Sequence, residues 1–281
     1  MTEEATIART KSPVSVDSLF AQLRLLGVAE GDLLLVHSSL SALGWVNGGP
    51  VAVIQALAQA VGLSGTIVMP AQSSSLTDPE NWGAPPVPTE WLETIRDTMP
   101  AYDPAITPTR NMGQIAELFR TWPGTIRSAH PSSSFAALGP SAYELMREHD
   151  LTNPLGDSSP LGALYRHGAK ILLIGVDFDT CTALHLAEQK VWPNRAKVKE
   201  GAPLMVGGER RWVSFEVPKL LDSDAFIPVG ASALRSGIGT VGALGEGRGI
   251  FVDMRKLVDH AVGLWSSKPH DAATLFDGTK P

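Results

Sequence analysis

The sequence predicts a mixed α/β (α+β) fold. It reads as a central, largely parallel sheet flanked by helices, with a smaller β-containing part toward the C-terminus and a long Pro-rich loop. Three observations carry this. Residues 32–36 (DLLLV) and 171–176 (ILLIGV) are short unbroken apolar runs, the signature of strands buried on both faces. Strand, helix and strand between residues 32 and 70 have the spacing of a βαβ unit, which requires a parallel pair. Twenty-one prolines and 27 glycines in 281 residues call for many turns between these elements.

The opening MTEEATIARTK is polar and reads as frayed. Residues 16–28 place Leu19, Phe20, Leu23 and Leu26 at helical spacing, with Gly27 as the stop. The strand at 32–36 runs straight into His37, Ser38 and Ser39. After a Gly- and Trp-containing loop, an Ala-rich helix follows from Val51 to Val61, with Pro50 near its first turn. Residues 65–70 (GTIVMP) form the next strand.

Residues 71–109 differ in character. Eight prolines fall from Pro70 to Pro108, and six acids (Asp78, Glu80, Glu90, Glu93, Asp97, Asp103) accompany a single base, Arg96. Trp82, Trp91 and Tyr102 argue for an ordered covering loop, because disordered tracts are poor in aromatic residues. A short helix fits 90–99.

Beyond it come a modest helix at 110–120, a serine-rich turn after Arg127 with short strands or turns, and a helix at 141–148. The loop NPLGDSSP and a short helix at 161–167 deliver the chain to the second buried strand. A helix carrying His185 and Glu188 follows, then a hairpin at 202–217 turning at Gly207-Gly208. Residues 249–253 make a last strand and 254–265 a helix, leaving 266–281 as a flexible tail. The whole reads as one domain over 14–265 with flexible termini at 1–13 and 266–281.

Bulk properties exclude several classes. No apolar run approaches the length of a membrane span, and no basic-plus-apolar leader is present. The single cysteine, Cys181, forbids an intramolecular disulfide framework and suits a reducing cytoplasm. A net charge of −6 disfavours nucleic-acid or anionic-membrane partners and favours a cationic one. No G-x-S-x-G, G-x-x-x-x-G-K-[ST], HExxH or paired CxxC occurs. Gly237–Gly242 matches G-x-G-x-x-G but lies near the C-terminal end without an apolar strand before it, so a turn or bulge is expected there. Cys181 reads as a packing residue, since the neighbouring acids Asp177 and Asp179 would raise its thiol pKa.

What remains is polar chemistry at strand ends. His185 and Glu188 stand three residues apart, so they share one helix face after a buried strand. A surface ion pair would have the same spacing. His37-Ser38-Ser39 offers hydroxyls and free N–H groups that can hold a phosphate or a carbonyl oxygen, and a plain strand-end turn would look alike. Arg127 to Ser134 (RSAHPSSS) is a second turn of this kind.

Four segments together resemble the aminoglycoside 3-N-acetyltransferase family: VHSSLSALGWVNGG, TDPENWGAPPVP, TPTRNMG with RSAHPSSSFAALG, and NPLGDSSPLGALYRHGAKILLIGVDFDTCTALHLAE. The similarity runs from about Leu19 to about Leu264. It implies an antibiotic N-acetyltransferase domain, a fold distinct from the common acetyltransferase fold, acetyl-coenzyme A as acetyl donor, a cationic aminoglycoside acceptor and no metal. It places His185 and Glu188 on the family's catalytic pair. His37, Ser38, Ser39, Gly48, Gly49, Arg110, Ser134 and Phe135 fall on segments lining the coenzyme groove. Asp78 with Trp82, and Asp222 or Asp224, fall where substrate-facing groups are expected. Thr182 or the His37-Ser38-Ser39 turn would supply donors to the tetrahedral intermediate. Direct transfer in a ternary complex is the expected route, in a monomer or homodimer. Acetylation of another amine, and binding of a cationic ligand without turnover, are the competing readings.

Overall fold

The computed structural model describes residues 2–267. The chain opens with α1 (Glu3–Arg9) and α2 (Val16–Leu26), followed by β1 (Leu33–Ser38), α3 (Gly49–Val61) and β2 (Thr66–Pro70). After the Pro-rich excursion, which holds α4 (Leu92–Thr98), come α5 (Gly113–Arg120), β3 (Ile126–Arg127), β4 (Phe135–Leu138), α6 (Ala142–Met146) and α7 (Pro160–Arg166). The second half has β5 (Lys170–Ile174), α8 (Ala183–Val191), β6 (Lys197–Val206), β7 (Glu209–Pro218), α9 (Phe226–Arg235), β8 (Thr240–Leu244), β9 (Gly247–Asp253) and α10 (Met254–Ser266).

Seven strands make one sheet in the order β3-β4-β2-β1-β5-β9-β8, and β6 pairs only with β7. The expected parallel core exists: β1 runs parallel to β2 and to β5. The sheet is not largely parallel, however. The β2–β4, β3–β4, β5–β9 and β8–β9 pairs are all antiparallel. Antiparallel neighbours need no crossover helix, so loops and a tight turn at Gly245 suffice to add them on both sides.

Three further expectations are corrected. The C-terminal strands extend the main sheet, and the smaller β unit is the β6–β7 hairpin inserted between α8 and α9. The G-x-G-x-x-G stretch is not merely a turn, since Thr240–Leu244 is the edge strand β8. The N-terminal segment carries a helix, capped by Thr2 with Glu3 and Glu4 in its first turn, where acids complement the helix dipole. Of the expected flexible tail, residues 268–281 lie outside the described residues.

Strand alternation sorts the core into two layers. Leu34, Val36, Ile67, Leu172 and Ile174 face α2, α3 and α5; Leu35, Val68, Ile171 and Leu173 face α6, α7, α8 and α10. The helix after β1 thus covers one face and the helix after β5 the other. Where neighbouring parallel strands send their helices to opposite faces, a crevice opens at their carboxyl ends. That crevice lies between β1 and β5. Gly175 closes the turn beyond β5 at φ +64, and a Cβ there would fall 2.2 Å from the Ala42 Cβ.

The Pro-rich excursion is ordered. Arg127, buried, reaches from β3 to the Ala71 carbonyl at 2.6 Å, the Ser73 hydroxyl at 2.7 Å and the Thr107 carbonyl, pinning both ends of the loop. Tyr102 donates to the Ser128 carbonyl at 2.8 Å, and its own N–H to the Pro203 carbonyl on the hairpin. Nearby, His149 bridges the Ser128 hydroxyl and the Pro154 carbonyl, and its ring packs 4.8 Å from that of His130.

Burial holds His37 and His149 down to a pKa of about 3 and His130 to about 4. In the unfolded chain these rings titrate near 6.5. Below that value the unfolded state binds more protons than the folded one, so stability rises with pH and falls on acidification. Each ring should cost about 1.4 kcal/mol per pH unit, from about 6.5 down to its folded pKa. Unfolding free energies from denaturant titrations at pH 7, 6 and 5 are expected to drop steeply, by about 2 kcal/mol per ring at pH 5, and the midpoints with them. A midpoint unchanged over that range would show that the rings are hydrated rather than buried.

Candidate active site

The crevice between β1 and β5 is a cleft of about 350 Å³. His37 and Ser38 enter it from the end of β1. Asp179, Thr180, Thr182 and His185 enter from the turn after β5 and the start of α8. Gln72, Asn111, Ser133, Leu155, Leu220 and Ser223 complete the wall.

His185 is held on two sides. Its Nδ1–H donates to Glu188 Oε1 at 2.6 Å, so the lone pair of Nε2 is left for the cleft. The edge of Phe226 meets the imidazole with centroids 4.8 Å apart at 73°. Glu188 is wholly buried, and buried carboxylates need partners. Its Oε2 accepts from the Leu221 N–H at 3.2 Å and lies 3.7 Å from Arg195 Nη2. Arg195 in turn donates to the carbonyl of Lys219. The return of the hairpin therefore fixes the carboxylate, which fixes the ring.

Thr182 sits one turn before His185 on the same face of α8, whose backbone links them through His185 N–H to Thr182 O at 3.1 Å. Its hydroxyl lies 3.2 Å from His37 Nε2. Burial, then repulsion from His185, keeps the His37 ring neutral. A neutral histidine, a hydroxyl and a carboxylate-oriented imidazole thus converge on one cavity. Such a set can take a proton at Nε2 and offer a donor to an oxygen.

Other expected site residues are placed differently. Ser39 spends its N–H on the Ile174 carbonyl at 2.9 Å and does not line the cleft. Gly48 and Gly49 turn the chain into α3 at positive φ, and Arg110 is exposed; none of the three lines the cleft. Ser134 and Phe135 are fully buried: the Ser134 hydroxyl bridges Arg127 and Ala71, while Phe135 packs in the core. Their neighbour Ser133 is the one that reaches the cavity. Of the two acids beside Cys181, Asp179 lines the cleft, whereas Asp177 caps the Phe178 N–H and pairs with Arg248. Burial pushes the Cys181 thiol up to about 12, which agrees with a packing role.

Asp78 lies in a neighbouring groove of about 690 Å³ with Glu80, Glu200 and Glu216, between the excursion and the hairpin. A smaller depression shares Gln72, Ser133, Leu155 and Leu220 with the cleft and Glu200 and Phe215 with this groove, so the three are continuous. Asp78 itself is paired with Arg96 at 2.6 Å. Burial raises the pKa of Glu200. Trp82 closes its own loop by donating to the Thr77 hydroxyl at 2.9 Å and lines neither cavity. Asp222 and Asp224 are exposed on either side of the cleft residue Ser223; Asp222 accepts from the Asp224 N–H, leaving Asp224's carboxylate free of that cap.

Residue reasoning missed Phe226, which packs on His185, and the Leu221 N–H and Arg195, which meet Glu188. Asn111 had a weak signal. It is the one non-glycine at positive φ (61°) among the described residues, a conformation asparagine tolerates.

The chain as a whole is similar to known proteins. The profile of the aminoglycoside 3-N-acetyltransferase family matches residues 35–265. The SPbeta prophage-derived aminoglycoside N(3')-acetyltransferase-like protein YokD of Bacillus subtilis (strain 168) is 49% identical over 215 residues, covering 76% of this chain and 77% of YokD. The YokD crystal structure superposes with a TM-score of 0.92 at 41% identity, over 95% of this chain and 98% of that one. A structure of AAC-IIIb in binary complex with CoASH gives 0.81 at 31% identity, over 96% and 100% of the two chains. AAC-VIa bound to sisomicin gives 0.82 at 32%, over 92% and 99%.

Proposed function

This chain belongs to the aminoglycoside 3-N-acetyltransferase family, and from that membership and its cleft we propose that it transfers the acetyl group of acetyl-coenzyme A to the 3-amino group of a deoxystreptamine aminoglycoside. The observation that carries the reading is the buried Glu188 holding His185 with Nε2 toward the cleft. The CoASH-bound and sisomicin-bound relatives support the identities of donor and acceptor.

A protonated ammonium has no lone pair, so the acceptor first releases one proton. Its nitrogen then attacks the thioester carbon while His185 Nε2 takes a second proton. Glu188 fixes the tautomer and stabilises the imidazolium, the role a carboxylate plays in hydrolase triads. The oxyanion of the tetrahedral intermediate is met by the Thr182 hydroxyl. Collapse breaks the carbon–sulfur bond and expels the thiolate, which recovers the proton from His185. No acyl-enzyme intervenes, so initial-rate plots should intersect rather than run parallel.

The test is release of free thiol from acetyl-coenzyme A, followed with a thiol dye across a panel of aminoglycosides. Thiol release dependent on an added aminoglycoside is expected, and the acceptor KM should rise with salt as the acidic rim is screened. Binding without thiol release would instead establish a non-catalytic receptor for cations. A second reading, transfer to another amine, draws on the Arg96 pairing that already neutralises Asp78. Simple di- and polyamines in the same panel decide between the acceptors.

A further inference from the structure

His37 was expected on the coenzyme groove, yet its ring is already engaged inside the protein. Its side chain stands at the end of a buried strand with 7% exposure, and Thr182 Oγ1 is its hydrogen-bond partner, 3.2 Å from Nε2. Both residues line the cleft that holds His185. Thr182 precedes His185 by three residues on one helix face, so hydroxyl and base flank the same space.

A neutral imidazole carries one N–H and one acceptor nitrogen. Burial keeps His37 in that neutral form, with a pKa of about 3, even when His185 alongside becomes positive. Two arrangements satisfy the Thr182 contact. If Nε2 accepts, the threonine proton is spent on the ring, and the ring's own N–H sits at Nδ1. Among the described residues no group hydrogen-bonds to Nδ1, and in this arrangement the threonine hydroxyl has no proton left for an oxyanion. If Nε2 carries the proton, it donates to the threonine oxygen, and the hydroxyl hydrogen is released toward the cavity.

We propose that His37 is a positioning residue that acts through Thr182. Its Nε2–H donates to Thr182 Oγ1 and turns the threonine hydroxyl proton toward the oxygen that becomes the oxyanion. The role rests on the acetyl-transfer reading above. It differs from a coenzyme-binding role in where the energy appears. Donors aimed at a developing oxyanion act on the transition state and so on kcat, while groove contacts act on the KM of the donor. The chemistry balances as before: the nitrogen–carbon bond forms, the carbonyl π pair moves to oxygen, and its return expels the thiolate.

The experiment has a kinetic and a spectroscopic arm. Thr182→Val is expected to lower kcat about 10²-fold, and His37→Leu by a smaller factor, both with the KM for acetyl-coenzyme A unchanged. Thr182→Ser, which keeps the hydroxyl, should restore most of the loss. The double variant His37→Leu/Thr182→Val should be no worse than Thr182→Val alone, because the histidine works only through the threonine. Losses that multiply, or a raised donor KM with intact kcat in His37→Leu, would overturn the proposal. The second arm uses the wild-type chain and needs no turnover. Long-range ¹H–¹⁵N spectra of the ring should show His37 neutral with its proton on Nε2, and a proton on Nδ1 overturns the assignment. If no amine elicits thiol release, the proposed reaction falls on that result, while the ring spectra still decide the His37–Thr182 arrangement.

Discussion

Replacing His185 by alanine is expected to lower acetyl transfer by a factor of about 10²–10⁴ while binding of coenzyme A stays nearly intact. The expectation follows from how little else the ring does. Its Nδ1 is committed to Glu188, its face to Phe226, and its Nε2 to the cleft. Removing it leaves the Thr182 donor and the shape of the cavity in place, so donor affinity should survive. Steady-state rates with an accepted amine, alongside calorimetric titration of coenzyme A, make the comparison. Turnover at the wild-type rate in His185→Ala would end the general-base assignment.

The second large effect is expected at Glu188, where chemistry and stability meet. Glutamine is nearly the same shape but brings an NH₂ where an acceptor was. One end of the side chain would then face either the Leu221 N–H or the His185 Nδ1–H donor to donor. Loss of the charge also removes one charged neighbour, 3.7 Å from the buried Arg195 guanidinium. Breaking a buried pair on one side costs roughly 3 kcal/mol or more. Glu188→Gln should therefore unfold at lower denaturant concentration and lose turnover by about 10²–10⁴ even where it is folded. Near-UV circular dichroism separates the two effects. A variant with an unchanged midpoint and full activity would mean that the carboxylate neither orients the ring nor anchors the hairpin.

Much of the scaffold could be read from residue patterns because the deciding signals are local. Strands β1, β2 and β5 each hold an apolar run of four residues, and α2 and α3 carry helical periodicity with glycine stops. Strand β8 was hidden because TVGAL, with a glycine at its centre and a mostly exposed edge, has neither a long apolar run nor clear alternation. Helix α9 was hidden by Pro228 and Gly230, which read as breakers. Gly230 is there because any Cβ would fall 2.0 Å from the ring of Phe178. The pair His185–Glu188 was visible from its spacing, but a surface ion pair has the same spacing, and only burial tells them apart. The serine turn shows the opposite case. Three consecutive serines look alike in sequence, and the entry of β4 decides that Ser133 faces the cavity while Ser134 is spent on Arg127. Arg195 gave no signal, since its backbone acceptor Lys219 arrives from the far end of a hairpin and burial of its Glu188 partner is not visible in sequence.

The crevice between β1 and β5 joins residues far apart along the chain. His37 and Thr182 touch across 145 positions, so the reacting space is the closure of a very long loop. The entropic cost of such a closure grows only slowly with length, but it must be met before either residue has its neighbour. Neither half of the polypeptide alone holds a weakened version of the chemistry. A chain interrupted before β5 has a strand end with a stray histidine, and the later half alone has an oriented base with nothing facing it. Capability arrives in one step, at the moment β5 docks beside β1.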